Sequence, residues 1–402
     1  MAIYIITISI SLLLIFCADK VRNNKSLFLL FSWVSIIPSL IITGFRDYSV
    51  GTDVWSYVVP NFTLSRVFES FQEYNNFLPF SRYSLSSLGI LVNGNTEPGY
   101  NLLVFIISRV TDDPHWLLFT IQFIISSMLL ISNIKISNRF NTPLFPMYFV
   151  FYTTYWLMSM NIMRQYCAVS MIVLALVYLM EKKYGRYLLL QILAISFHQT
   201  ALVGIVFAIM YVVMKRAPRN KVSLKSSSTF ITASMIFLIS FTLGNRILEI
   251  LEIVIGKIPI INNHMYSFLG VSGTSFFRTM MYVAPILVFF IVYDLAITEK
   301  YSVDQIEQNK ELVLLRWVKW IGYLGIGMDG LYHFQDVIPR FAQYSHIILI
   351  VMLGILIKRL PTKKLLFASV LIMLLGIYEF SYFKYTGNGD VYPYVSSLLS
   401  LK

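Results

Sequence analysis

The sequence predicts an all-α polytopic membrane protein, a single integral membrane domain over residues 1–402 with about twelve transmembrane crossings, and three observations carry that expectation. Of the 402 residues, 57% are hydrophobic and only 13% are charged, against roughly 45–50% and about 25% in soluble domains. Mean hydropathy is +0.69, and apolar runs long enough to cross a hydrocarbon core of ~30 Å return along the whole chain. The third observation is the distribution of a net charge of +12. In a soluble protein that charge would suggest nucleic acid, whereas in a membrane protein basic residues report orientation. The two cysteines, Cys17 and Cys167, both lie in apolar runs, so neither a disulfide framework nor a zinc site is available.

The first apolar run, residues 2 to 17, precedes its first basic residue, Lys20, and so reads as a span rather than a secretory leader. Further runs cover about residues 27 to 44, 116 to 134, 143 to 160, 165 to 180, 228 to 243, 279 to 297, 312 to 331, 338 to 357 and 364 to 380. Residues 187 to 214 form one run of 28, too long for an untilted crossing of about 20, with Ser196, His198, Gln199 and Thr200 at its middle. That run reads as a split pair of half-helices meeting at the polar point. Residues 99 to 110 supply only about 18 Å of helix at 1.5 Å per residue, which fits a re-entrant or interfacial helix.

This threading places both termini on the same, outer side and 21 of the 32 lysines and arginines inside, giving the inner side a net charge of +14 and the outer side −2. Threading residues 187 to 214 as one span would put the basic loop 215 to 225 outside, against the positive-inside tendency. Nucleic acid is excluded as a partner, since the excess charge is dispersed over the inner loops. The outer side differs in kind. Its basic residues include eight arginines, at 46, 66, 82, 109, 164, 246, 278 and 340, and only three lysines. Arginine's planar fork suits phosphate or carboxylate, so this face points to an anionic ligand; the alternative is simple pairing with outer carboxylates.

The large outer loop, residues 45 to 98, has Arg46 and Asp53 at one end and Glu97 at the other, both ends abutting membrane segments. A carboxylate near apolar surface and an arginine can act as a general base or orient a hydroxyl, or can form a structural ion pair. Within the loop, Asn61-Phe62-Thr63 matches the glycosylation pattern, a short match that arises readily by chance. Arg164, in Asn161-Ile162-Met163-Arg164-Gln165-Tyr166, either binds a ligand or snorkels to the surface. His198 sits where broken backbone is tolerated only if buried in protein or lining a cavity. Toward the C-terminus, Arg278 begins a span, and Asp329, His333, Asp336 and Arg340 cluster across one outer turn. Arg340, Gln343 and Tyr344 follow helical spacing and would point the same way. His115, His264 and His346 read as structural, and Trp317 and Trp320 as an inner interfacial belt.

No Walker loop, dinucleotide fingerprint, zinc helix, Gly-x-Ser-x-Gly elbow or metal-holding Asp-x-Asp pair occurs. The expectation is chemistry at the outer interface with no cofactor or metal and with arginines handling charge.

At this point the residues carry a resemblance. Gly44-Phe45-Arg46, Gly51-Thr52-Asp53, Tyr57, Glu97-Pro98-Gly99-Tyr100, Arg164-Gln165, Phe197-His198-Gln199-Thr200 and the stretch from Arg340 to Tyr344 are similar, in order and placement, to motifs of the EpsG family. The likeness runs to Pro393-Tyr394, and Phe45 stands where the family more often has an aliphatic residue. The resemblance implies a Wzy-type polymerase of bacterial O-antigen, capsule or exopolysaccharide with a GT-C-like fold. It implies transfer of a growing chain from undecaprenyl pyrophosphate onto a sugar hydroxyl of an incoming undecaprenyl-pyrophosphate-linked oligosaccharide, on the outer face of the bacterial cytoplasmic membrane. The bilayer, a flippase and a chain-length regulator are the implied partners.

On that basis Arg164, Arg278 and Arg340 are expected to hold pyrophosphate. Asp53 or Glu97 would be the base, with His198 in reserve. His198 and Arg46 would position substrate, with His333 and Tyr344 as further substrate contacts. Two rival classes stay open. A lipid-linked-oligosaccharide flippase or transporter would show internal repeats and mid-membrane ionisable groups. A membrane acyltransferase of surface glycans would want a deeply buried histidine with an Asn or Asp partner.

Overall fold

The computed structural model describes residues 1–84, 96–216, 228–255, 276–297, 310–333 and 338–401. It is all-α: among the described residues the extended pairing is limited to an isolated bridge between Ser396 and Leu401. Eight helices among the described residues are long and apolar enough to cross a membrane, and shorter apolar helices accompany them. The chain divides into two compact units, one of residues 1–137, 143–202 and 376–402, the other of residues 138–142 and 203–375.

The first unit begins with α1 (Ala2–Lys20), α2 (Lys25–Val34) and α3 (Ile37–Gly44). Asn24 starts α2 by accepting the Leu27 N–H at 3.1 Å. Pro38, in the first turn of α3, has no N–H to give the preceding turn, so the apolar run 27 to 44 is interrupted at Ser35 and Ile36. The stretch expected as a large outer loop is largely helical where described. A π-helical turn at Val54–Val58 leads into α4 (Val59–Ser65), and α5 (Phe71–Ser84) follows. Asn61 is buried and donates to Thr96 at 3.5 Å, so the glycosylation match is not displayed for modification.

Beyond α6 (Pro98–Val110) and α7 (His115–Phe140), the run expected as one span over 143 to 160 is three pieces. These are α8 (Phe145–Val150), a second π-helical turn at Phe151–Tyr155, and α9 (Trp156–Asn161). Asp19 accepts the Leu144 and Phe145 N–H groups at 2.9 Å, satisfying donors at the start of α8. Beyond its first turn, which carries Arg164 and Gln165, α10 (Met163–Met180) is apolar and buried almost all round, the pattern of a central helix. α11 (Tyr184–Phe197) packs back along it. The helix ends at Phe197: His198 is extended (φ −161°, ψ 125°), and a 3-10 turn covers Gln199–Leu202. The split expected near the middle of the run 187 to 214 is present.

The second unit contains α12 (Val203–Arg216), α13 (Thr229–Ile255), α14 (Phe276–Ala296), α15 (Lys310–Gly330), α16 (Ile338–Lys358) and the first part of α17 (Thr362–Thr386). The Asp294 carboxylate caps α13, accepting from the Thr229 N–H at 3.0 Å, its hydroxyl at 2.7 Å and the Phe230 N–H at 3.0 Å. Two sequence expectations are corrected in this unit. Trp317 is not in an interfacial belt: its ring is buried and its Nε1–H donates to the Phe207 carbonyl at 2.9 Å, while Trp320 is exposed. Asp329 is not on an outer turn: it is buried and paired at 2.7 Å with His346, the partner that satisfies a polar group inside an apolar bundle. His264 and Asp336 lie outside the described residues.

Candidate functional site

Four segments far apart in sequence meet in the first unit. Pro98 occupies the first position of α6, where its missing N–H is no loss, and Glu97 precedes it in extended conformation. Gly99 is required by packing: a Cβ there would overlap the Ser196 backbone and hydroxyl, so only glycine brings the start of α6 against the end of α11. Asn101 fixes the same corner, donating to Asn75 at 2.8 Å and to the Thr96 carbonyl at 3.1 Å. Glu97 is thereby carried to the break after α11, where its Oε1 accepts the Gln199 N–H at 3.4 Å.

The other Glu97 oxygen accepts from Arg164 Nη1 in an ion pair whose side chains are only 11% and 13% exposed. Arg164 is the second residue of α10. Its guanidinium lies over the Tyr57 ring, 4.2 Å from the centroid, and 5.6 Å from that of Tyr100. Tyr57 reaches it from the π-helical turn that begins just after Asp53. Asp53 lies within charge-interaction range of both Arg164 and Arg46. His198, at the break, takes the Thr200 N–H on Nδ1 at 3.3 Å, with the Thr200 hydroxyl at 2.7 Å from the same atom.

Arg46 stands apart in character. Its side chain is fully buried, with Nη2 donating to the Met160 carbonyl at 2.5 Å and contacting Met163 Sδ at 3.3 Å, while Nε and Nη1 have no hydrogen-bond partner among the described residues. Burial pulls its guanidinium down to about 10, against the opposing pull of Tyr4, Tyr394 and Asp53. The structure thus gathers Asp53, Glu97, Arg164 and His198, with Arg46 behind the Asp53 turn.

The remaining predicted residues belong to the second unit. Arg278 and Arg340 fall in the first turns of α14 and α16, and Arg340 is exposed. Tyr344 and Gln343 are buried, so they do not share Arg340's outlook despite the helical spacing: one turn further along, α16 is already inside its bundle. His333 ends the short turn Leu331–His333. Sequence reasoning passed over Tyr57 as a ring for Arg164, Gln199 as a donor to Glu97, and Asn161. Tyr57 carried a signal, an aromatic one turn beyond Asp53.

A bundle of apolar helices enclosing a largely buried carboxylate–guanidinium pair walled by tyrosines defines an all-α polytopic membrane protein with a charged site in its first unit. The EpsG family model matches residues 28–396, and the chain belongs to the EpsG family. That membership indicates an exopolysaccharide or O-antigen polymerase type of function. Comparisons with curated proteins and with solved structures gave no match.

Proposed function

We propose that this chain is a lipid-linked-glycan glycosyltransferase that joins undecaprenyl-pyrophosphate-linked oligosaccharide repeat units at the outer face of the bacterial cytoplasmic membrane. The observation that carries this reading is the Glu97–Arg164 pair, held against Tyr57 beside Asp53 and the His198 break. The acceptor hydroxyl oxygen attacks the anomeric carbon of the growing chain, its proton passes to a carboxylate, and the bond to pyrophosphate breaks with inversion. Arginine at a helix start suits the leaving group: a cation in a first turn is opposed by the helix dipole, so an arriving phosphate is favoured by both. Arg164 meets that condition in the first unit, and Arg278 and Arg340 each meet it in the second.

Glu97 has one oxygen on Arg164 and one on the Gln199 N–H, which assigns it to orienting Arg164. Asp53 is therefore our base. A His198 ring that accepts an N–H on Nδ1 carries its neutral-form proton on Nε2, so we assign it as a hydrogen-bond donor to substrate. Arg46, buried behind Asp53, supports that carboxylate from within.

The test is the surface polysaccharide of a strain lacking the gene, separated by gel. Loss of a polymerase leaves single repeat units on the surface; a surface empty of repeats would make it a flippase, and full-length unacylated polymer an acyltransferase. Complementation with Arg164→Ala or Arg340→Ala leaves single units, and near-normal polymer from both would remove the arginines from the mechanism.

A further inference from the structure

The turn that carries Asp53 is wrapped around the end of α9, and the contact between them is specific. Asn161 is the last residue of α9; Ile162 breaks the helix (φ −85°, ψ 57°), and Arg164 follows in the first turn of α10. The Asn161 carboxamide oxygen accepts two hydrogen bonds from the Asp53 turn, the Thr52 hydroxyl at 2.6 Å and the Asp53 N–H at 3.2 Å. One residue earlier, the Met160 carbonyl accepts from Arg46. Gly51, at φ +100°, lets the turn pass this carbonyl closely: a Cβ there would stand 3.2 Å from it.

The far side of Asn161 is also enclosed. A Cβ on Gly389 would lie 2.6 Å from Asn161 Nδ2, so the C-terminal segment fits around the amide only because glycine stands there, at φ +71°. The same segment is tied to the turn itself. Gly51 N–H donates to the Asp390 carbonyl at 2.9 Å, Asp47 N–H to Val395 at 2.9 Å, and Ser397 donates from N–H and hydroxyl to the Asp47 carboxylate at 2.8 Å.

We propose that Asn161 is a positioning residue for the glycosyl transfer, fixing the Asp53 carboxylate relative to Arg164 without touching substrate. This inference rests on the polymerase reading and on Asp53 as base. A carboxylate that must meet a hydroxyl proton at hydrogen-bond distance is sensitive to small displacements, and about 1 Å of misplacement can reduce a rate by up to 100-fold. Asn161 supplies the one side-chain oxygen that both donors of the turn share. It also lies three residues before Arg164, so its helix end sets the start of the next.

The experiment uses the full chain in vesicles with lipid-linked repeat units extracted from the gene-deletion strain. Wild-type chain lengthens them; failure of that arm alone would count against the polymerase reading. Asn161→Ala is expected to lower turnover about tenfold or more while leaving KM for the acceptor within about twofold. Asn161→Asp keeps an oxygen acceptor and restores turnover to within about threefold of wild type. It also places a second carboxylate near Asp53, so the acid limb of its pH profile moves to higher pH, which a purely structural role would not produce. Should Asn161→Ala fail to accumulate, Thr52→Val, an exposed residue giving up one of the two bonds, takes its place with an expected loss of about threefold. Wild-type turnover in Asn161→Ala or Thr52→Val, an Asn161→Asp chain no better than alanine, or an unmoved acid limb in an active Asn161→Asp chain would overturn the proposal.

Discussion

Arg164 is held by three kinds of contact at once: a carboxylate, an aromatic face and the start of a helix. Lysine keeps the charge but loses the planar fork and most of the stacking. Arg164→Lys is therefore expected to reduce polymer nearly as far as Arg164→Ala, read as the shortening of the polysaccharide ladder. Removing Glu97 acts on stability as well, because it leaves a guanidinium buried without its countercharge. Glu97→Ala should lower unfolding stability by about 3–5 kcal/mol, measured as a loss of thermal stability in detergent, whereas a Glu97→Leu/Arg164→Leu pair should lose much less. The residue types of the site were legible in the sequence: Asp53, Glu97 and Arg164 stand out as charged groups near the ends of apolar runs, and His198 as a polar group in the middle of one. Their mutual pairing was not, because it depends on which helix ends pack together. Tyr57 shows why, since its reach to Arg164 follows from a π-helical turn that no residue between Val54 and Val58 announces.

At the level of elements, the site exists because α6 and α11 approach within glycine distance. Gly99→Ala inserts a methyl group into the Ser196 backbone and should cost about 1–3 kcal/mol as overpacking. It should also part Glu97 from the Gln199 N–H and shorten the polysaccharide ladder, even though the residue itself touches no substrate. An unchanged ladder and an unchanged melting temperature would show that the two helix ends yield without consequence. The element boundaries were partly readable. The break near His198 was signalled by four polar residues inside a run too long for one crossing. The interruption of 27 to 44 had its cause in Pro38, whereas the π-helical turn inside 143 to 160 was marked only by the Thr153-Thr154 pair, too weak a signal to divide the run. Trp317 and Asp329 misled for a related reason: a tryptophan beside basic residues and an aspartate near a span end both look interfacial, and each is buried because a neighbouring helix supplies a partner, Phe207 or His346.

For the whole molecule, the basic residues set a topology that labelling can check. A cysteine at Ser223, in the basic loop, should be shielded from a membrane-impermeant thiol reagent in intact cells, while one at the exposed Glu69 should react; the reverse pattern would invert the orientation. The first unit is also discontinuous, since its last piece, residues 376–402, is separated from the rest by the 173 residues 203–375 of the second. That last piece includes the segment from Gly389 to Ser397 that ties down the Asp53 turn. Synthesis runs at about 5–20 residues per second, so the ribosome is roughly 10–40 s past His198 before that segment exists. A chain stopped after Thr386 should therefore enter the membrane yet leave residues 45–53 open to protease, and a turn as resistant as in the full chain would refute it. A ribosome that has already delivered Asp53, Glu97, Arg164 and His198 to the bilayer has still to make the segment, Gly389 to Ser397, that holds the first of them in place.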